Sequence, residues 1–243
     1  MSDYRSELYE SYVSTFKGDP HAATDLPRLF AYFDIKYKPL LDDLPRTARL
    51  MELGCGPGHF LMYLKSLGFT DVRGIDISAE QVALAVRAGC TAEVADVFDV
   101  LEASPGRFDA MFALDFVEHF DKAQLSRLGR GLTGALADRG RLILQTPNGS
   151  GLFVGQIACG DLTHGTIFNE SSIRQWLVPF GFGDFEFREA GPAGRDFRGR
   201  IRTLAWKILR LGLNCASKIA NGRTSSVWTD NMIVRGDKVA RTP

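Results

Sequence analysis

Apolar and polar positions change their rhythm at residue 48. Before it, residues 1–45 are polar, tyrosine-rich and helix-leaning, broken at Gly18, Pro20, Pro27, Pro39 and Pro45. From 48 onward, short apolar runs alternate with stretches of helical period, the pattern of βαβ units and a mostly parallel sheet. The runs predict strands at 48–53 (ARLMEL), 72–76 (VRGID), 91–95 (TAEVA), 108–114 (FDAMFAL) and 140–146 (GRLILQT). Helices are expected between them at 58–67, 79–88 and 121–136. After Pro147 the alternation gives way to the glycine-rich NGSGLFVGQIACGDLTHG. A loop this long inside a compact domain is usually functional or disordered. Beyond it the pattern predicts a helix near 171–179, a strand near 183–188, a basic segment over 195–223 and a last strand near 226–236.

The 243 residues are enough for one large domain without a disulfide staple. The expected organisation is an N-terminal helical cap over 1–45 and a main domain over 46–243. The main domain carries a covering loop at 147–170 and the basic helical insertion at 195–223. Lys and Arg number 29, as do Asp and Glu, which excludes a generic polyanion binder at the level of the whole chain and leaves room for a local basic patch. Cys55, Cys90, Cys159 and Cys215 form no C-x-x-C pair, so the common structural zinc patterns are excluded and no disulfide framework is defined. Isolated cysteines fit a reducing compartment. The opening MSDYRSELYE lacks the layout of a signal peptide, and no apolar run approaches the ~20 residues of a membrane span. The expectation is a cytoplasmic protein, with the inner face of the membrane within reach of the basic segment.

The strongest chemical signal is Glu52-Leu53-Gly54-Cys55-Gly56-Pro57-Gly58, directly after the first strand. Glycines let the backbone turn sharply and let a ligand approach where a Cβ would clash, and the following helix offers its first N–H groups. A dinucleotide calls for G-x-G-x-x-G. Here the third glycine comes one position early and His59 stands where that pattern wants Gly, which argues against NAD. Asp76 ends the second strand, 22 residues after Gly54, where a carboxylate accepts from both hydroxyls of a ribose. Asp96 ends the third, where its carboxylate can accept from the exocyclic amine of adenine. The ordered set describes a site for an adenosine carrying something other than a pyrophosphate.

ELGCGPG, GIDIS with Asp76, ADVF with Asp96, FDAMFALDFVEHF and GRLILQTPN resemble the successive motifs of class I S-adenosylmethionine-dependent methyltransferases, over roughly 48–190. The resemblance implies a Rossmann-like, doubly wound α/β sheet of seven strands, mostly parallel, whose last strand is antiparallel. It implies S-adenosyl-L-methionine as cofactor and S-adenosyl-L-homocysteine as product. By position, Glu52, Gly54, Cys55, Gly56 and Gly58 line the methionine portion. Asp76 and Ile77 hold the ribose, Asp96 and Val97 meet the adenine, and Leu114 and Asp115 face the cofactor.

Methyl transfer to a hydroxyl needs a base, and ligands of open α/β sheets bind beyond the carboxyl ends of the strands. Of four histidines, His119 and His164 fall there; His59 follows the glycine loop and His21 lies in the N-terminal segment. His164 is the first candidate for general base, with Asp161 orienting its imidazole or serving as the base itself, and His119 is the second, with Asp115 in support. No metal is expected. The alternative set is Asp115, Glu118 and His119, which resembles the E-x-x-E-H stretch of ubiquinone-biosynthesis O-methyltransferases, where those side chains bind a divalent ion. The shorter Asp115 replaces the first glutamate of that pattern.

GDLTHGTIFNESSIRQWLVPFGF followed by a basic helix resembles methyltransferases of bacterial surface-polysaccharide and lipopolysaccharide modification. That implies a sugar hydroxyl, in a glycan that is free or lipid-linked, as acceptor. Arg174 and Gln175, read as the start of the next helix, are candidates to hydrogen-bond such a polar acceptor. In 195–223, Ile201, Leu204, Ala205, Ile208 and Leu209 form an apolar stripe beside basic residues including Arg195. Two readings stand for this segment: a peripheral membrane contact or a cap helix packed over the acceptor pocket. Tyr4, Tyr9 and Tyr12 are candidates for core packing or for contact with the cofactor. Two rival functions remain, a metal-assisted quinone or phenol O-methyltransferase and a catalytically silent nucleoside-binding partner of a glycan-assembly complex. Nucleic acid is not an expected partner, because ALDFVEH stands where the N-P-P-Y type of motif would hold a flipped base.

Overall fold

In the computed structural model, which describes residues 24–194 and 196–239, the apolar runs form seven strands. These are β1 (Arg49–Leu53), β2 (Asp71–Asp76), β3 (Ala92–Val94), β4 (Phe108–Leu114), β5 (Leu136–Pro147), β6 (Phe182–Glu189) and β7 (Asn231–Lys238). They build one sheet in the order β3-β2-β1-β4-β5-β7-β6. β1 pairs in parallel with β2 on one side and β4 on the other, Glu52 standing level with both Gly74 and Phe112. β7 is antiparallel to both neighbours, β5 and β6, so the other six strands share one direction. This is the doubly wound sheet with an antiparallel last strand that the sequence implied. Tyr4, Tyr9, Tyr12, His21 and Arg195 lie outside the described residues.

Helices cover both faces, as strands buried on two sides require. Alternate residues of β4 supply the two cores. Met111 and Ala113 face α4 (Val97–Glu102), α5 (Lys122–Ala135) and α7 (Glu170–Leu177) in one cluster, while Ala110 and Phe112 join α1 (Leu26–Lys36) and α2 (His59–Ser66) in the other. α3 (Ala79–Arg87) packs on the second face through Ala85. Polar residues set the helix starts. Asp121 and Gln124 form a capping box at α5, Asn169 and Ser172 another at α7, and Ser78 and Asp96 accept from the first turns of α3 and α4.

Three local expectations are revised. β5 starts at 136 rather than 140, because α5 runs directly into it; its register jumps between Phe108 and Ala110 of β4, around a left-handed Arg139. Residues 226–230 are loop rather than strand, since the carbonyls of Val227 and Thr229 accept from the Asn148 side chain and not from a neighbouring strand. Within the 147–170 loop, Gly155–Ala158 forms one helical turn, α6. The basic segment is one helix, α8 (Phe197–Asn221), with no buried residue. It touches the body through Thr203, Trp206 and Asn214, and its apolar stripe is turned outward.

Arg141 ties the chain before β1 to the sheet. Its buried guanidinium donates to the Leu40 carbonyl at 2.6 Å, to both Asp43 oxygens at 2.6 and 2.8 Å, and to Asp237 at 3.2 Å. The hydrogen bond from Arg141 holds the Asp43 carboxyl down to about 2. Arg141→Met would leave the buried Leu40 carbonyl and the Asp43 carboxylate without their donor, while Asp237 would keep Arg235. The expected loss is about 2–4 kcal/mol in urea unfolding; a loss below about 0.5 kcal/mol would show that the clamp contributes nothing net.

Candidate active site

The crossovers from β1 and from β4 leave in opposite directions along the sheet, which opens a crevice beyond the carboxyl ends of these adjacent strands. One wall is the glycine loop. Gly54 and Gly56 are left-handed, with φ of 69° and 50°. A Cβ on Gly54 would meet the Phe116 ring at 2.4 Å, and one on Gly58 would meet the Ala85 Cβ at 2.9 Å. Those two glycines let the loop close on its own neighbours. Gly56 differs, because a Cβ there would reach only Gln81 Oε1, at 3.8 Å. It is the open position of the loop.

Asp76 fixes this wall, accepting from the Gly56 N–H at 2.9 Å and the Ser78 N–H at 2.8 Å. Asp96 accepts from the Phe98 N–H through Oδ1 at 2.8 Å and is otherwise exposed at the mouth. Ile77, next to Asp76, is 64% exposed. The Val97 side chain is buried, and Leu114 is half-buried at the end of β4. The Cys55 thiol points into the core against Gly74, so only its backbone faces the crevice side. Burial, and then the charge of Asp76, push the Glu52 carboxyl well above its usual range. Glu52 Oε2 and Gln81 Oε1 are buried without a hydrogen-bond partner. Two unpaired buried polar atoms, an open glycine, an exposed Ile77 and the Asp76 and Asp96 carboxylates fit a polar, nucleoside-bearing cofactor.

The other wall forms where the 147–170 loop lies across the exit of β4. The N–H groups of Gly165 and Thr166 both donate to the Glu118 carbonyl, at 2.8 and 3.0 Å, and Thr166 Oγ1 donates to Phe120 O at 2.8 Å. This pins His164 beside His119, their ring centroids 5.1 Å apart. Thr163 Oγ1 donates to Asp161 Oδ1 at 2.5 Å and lies 2.9 Å from His119 Nδ1. Because the hydroxyl proton is committed to Asp161, the hydroxyl accepts from His119 Nδ1–H, and the neutral ring carries its lone pair on Nε2. Asp161 therefore orients His119 through Thr163. The sequence reading had coupled Asp161 to His164.

Asp115 sits at φ 51°, a conformation unusual for a non-glycine residue and typical of functional sites. Both its oxygens accept from Gln145 Nε2, at 3.1 and 2.9 Å. Gln145 Oε1 in turn accepts from the buried Tyr37 hydroxyl at 2.6 Å. Glu118 is buried, with Oε2 unpartnered, and burial followed by the charge of Asp115 raises its carboxyl to about 8. His164 Nδ1 is also buried and unpartnered.

Among the described residues, one group can close on a metal: Glu118, His119 and His164, whose ligand atoms lie within 4.8 Å of one another. The alternative set from the sequence is thus revised. Asp115 turns to Gln145, and His164 supplies the third ligand atom. Arg174 and Gln175 are not drawn into this cluster. The Arg174 guanidinium lies over Phe185 and Phe187 of β6, 5.1 and 4.8 Å from the ring centroids, and Gln175 is exposed. Sequence reasoning missed Tyr37, Gln145, Gln81 and the role of Thr163. Tyr37 and Gln145 are 108 residues apart and share no motif, whereas Thr163 stood visible in the D-x-T-H stretch.

The sequence matches the family described as a methyltransferase domain over residues 26–185, more than half of the chain. No curated protein matches it in a sequence comparison. Among solved structures it is similar to a SAM-dependent methyltransferase from Archaeoglobus fulgidus, with 19% identity, a TM-score of 0.65, and coverage of 97% of this chain and 100% of that one. It also resembles a phosphoethanolamine N-methyltransferase of Haemonchus contortus in complex with S-adenosyl-L-methionine, with 18% identity, a TM-score of 0.58, and coverage of 99% and 61%. A magnesium protoporphyrin IX methyltransferase from Synechocystis with bound SAH is similar at 19% identity and a TM-score of 0.52, covering 88% and 81%.

The buried Glu118 has a consequence for stability. A carboxyl raised to about 8 in the folded chain, against an ordinary 4.5, keeps its proton where the unfolded chain has lost it. Stability must therefore fall as pH rises between those values. Glu118→Gln, neutral throughout, removes this dependence. In urea unfolding with chelator present, the variant should gain on the wild type steadily from about pH 5 to about pH 8. Parallel curves would show that Glu118 is ionised in the fold.

Proposed function

This chain belongs to the methyltransferase-domain family, and we propose that it O-methylates a sugar hydroxyl of a bacterial surface glycan or its precursor, using S-adenosyl-L-methionine. The observation that carries the reading is the meeting of two walls at one crevice. A cofactor-shaped wall of glycine loop, Asp76 and Asp96 faces a wall holding an oriented imidazole. When bound, the cofactor supplies a methyl group on a sulfonium centre. Gly56 leaves room for its methionine end, Asp76 offers its remaining lone pairs to the ribose beside Ile77, and Asp96 Oδ2 accepts from the adenine amine.

His119 and His164 stand where the acceptor hydroxyl would enter. A hydroxyl is a poor nucleophile until its proton is taken, and a positioned base contributes roughly 10²–10⁴-fold. We assign that proton to His119 Nε2, because the Thr163–Asp161 pair fixes its tautomer and stabilises the imidazolium that forms. His164, the first choice on sequence alone, becomes the neighbour that shapes the acceptor side. The D-x-T-H-x-T-x-F resemblance supports a sugar as acceptor. The solved structures similar to this chain act on different acceptors, so the fold itself does not select one.

A second reading rests on the compact Glu118–His119–His164 group. A divalent ion held there would bind the acceptor oxygen and lower the pKa of its hydroxyl. Chelation separates the two: activity that survives EDTA favours the imidazole base, and activity lost to EDTA and restored by Mg²⁺ or Mn²⁺ favours the ion.

Calorimetric titration with S-adenosyl-L-homocysteine tests the cofactor wall. Wild type should bind, Asp76→Ala should abolish binding, and Asp96→Asn should weaken it about tenfold while preserving the α4 cap and the thermal midpoint. With an acceptor in hand, His119→Ala should lose roughly 10²-fold or more in kcat, and Thr163→Val about tenfold with little change in KM. Full activity in His119→Ala would overturn the base assignment.

A further inference from the structure

α8 is amphipathic in the inverse sense to a helix that packs on a domain. Its contacts with the body are polar. Thr203 Oγ1 donates to Pro192 O, Trp206 Nε1 donates to Glu189, Arg210 pairs with Glu189 at 3.9 Å, and Asn214 Oδ1 accepts from Trp228 Nε1 at 3.0 Å. At about 100° per residue these four share one side of the helix. Phe197, Ile201, Leu204, Ile208, Leu211 and Ile219 fall on the other side and are between 52% and 81% exposed. A stripe of six large apolar side chains held away from the protein is not a core position.

Charge frames the stripe on both edges. Arg198 and Arg202 lie along one border, Arg200, Lys207 and Lys218 along the other, and residues 197–221 contain no Asp or Glu. We propose that α8 docks the protein on an anionic lipid bilayer, its apolar stripe among the acyl chains and its two basic borders on the headgroups. The apolar spacing of four and three residues also suits a coiled-coil seam. A second copy, however, would set arginine and lysine against arginine and lysine on both flanks, a repulsion that anionic lipid converts to attraction. Among the described residues no helix is long and apolar enough to cross a membrane, so α8 lies on the surface rather than through it. The proposal does not depend on the acceptor.

A hydrogen-bonded path joins the polar side of α8 to the covering loop. Trp228, bonded to Asn214 of α8, accepts through its carbonyl from the Leu152 N–H of the covering loop at 3.0 Å, and the neighbouring Phe153 is 60% exposed. Docking through α8 would thus bring the loop that carries His164 near the lipid surface.

The test is co-sedimentation of the full chain with phosphatidylcholine vesicles, with and without roughly a third phosphatidylglycerol. Binding should require the anionic lipid, weaken at high salt, and fall at least about tenfold in Leu204→Asp/Ile208→Asp. These exposed positions should leave the thermal midpoint and S-adenosyl-L-homocysteine binding unchanged, which separates failure of this proposal from failure of the cofactor reading. No binding of wild type to anionic vesicles would overturn it, as would binding that persists in the double variant. So would a concentration-dependent dimer, seen in analytical ultracentrifugation and abolished by the same substitutions, since the stripe would then be a self-association seam.

Discussion

The pairing of β1 with β4 is the constraint on which the rest of this structure depends. The two strands are sequentially distant, yet Leu50, Met51 and Glu52 stand level with Ala110, Met111 and Phe112 at the centre of the sheet. Because the chain winds outward from β1 through β2 and β3, and outward from β4 in the opposite direction, the loops beyond these strands part at one place. Every group assigned to the cofactor belongs to the first half of that winding or to the end of β4. Every group assigned to the acceptor belongs to the second half. The burial of Leu50, Met51, Ala110, Met111 and Phe112, all at most 2% exposed, makes the pairing costly to break.

The crevice carries its own cost. Asp115 adopts a left-handed backbone, and Glu52, Gln81, Glu118 and His164 each bury an unpaired polar atom there. Such features destabilise by a few kcal/mol apiece and persist where surrounding packing over-determines them. Here the support is visible. Asp76 grips the Gly56 N–H of the glycine loop and the Ser78 N–H at the start of α3, and the Glu118 carbonyl grips two N–H groups of the covering loop. The strained and unpaired groups lie between two clamps, which is the arrangement expected of a site preorganised for a ligand rather than of a packing defect.

Much of this was legible in the sequence because it is local. Strand β4 begins and ends where its apolar run does, and the glycine loop, Asp76 and Asp96 announced themselves by order and spacing. What the sequence concealed depends on long-range geometry. Nothing near Tyr37 or Gln145 shows that one reaches the other across the sheet to hold Asp115. The partnership of Asp161 with His119 rather than His164 follows from the way Gly165 and Thr166 fold back on the Glu118 carbonyl. Helical spacing placed the apolar residues of α8 on one stripe, but only the contacts of Thr203, Trp206 and Asn214 reveal that the stripe faces away from the protein. Arg174 illustrates the converse: a polar side chain in the helix beyond the loop reads as a ligand contact, and the structure lays it over two phenylalanines instead.

The central claim is that a nucleoside cofactor occupies the crevice between the glycine wall and the end of β4. Hydrogen–deuterium exchange with and without S-adenosyl-L-homocysteine locates that contact directly. The account predicts slowed exchange confined to the peptides containing residues 54–58, 76–78, 96–98 and 115–119. Binding that protects other peptides, and leaves these four unchanged, would contradict it.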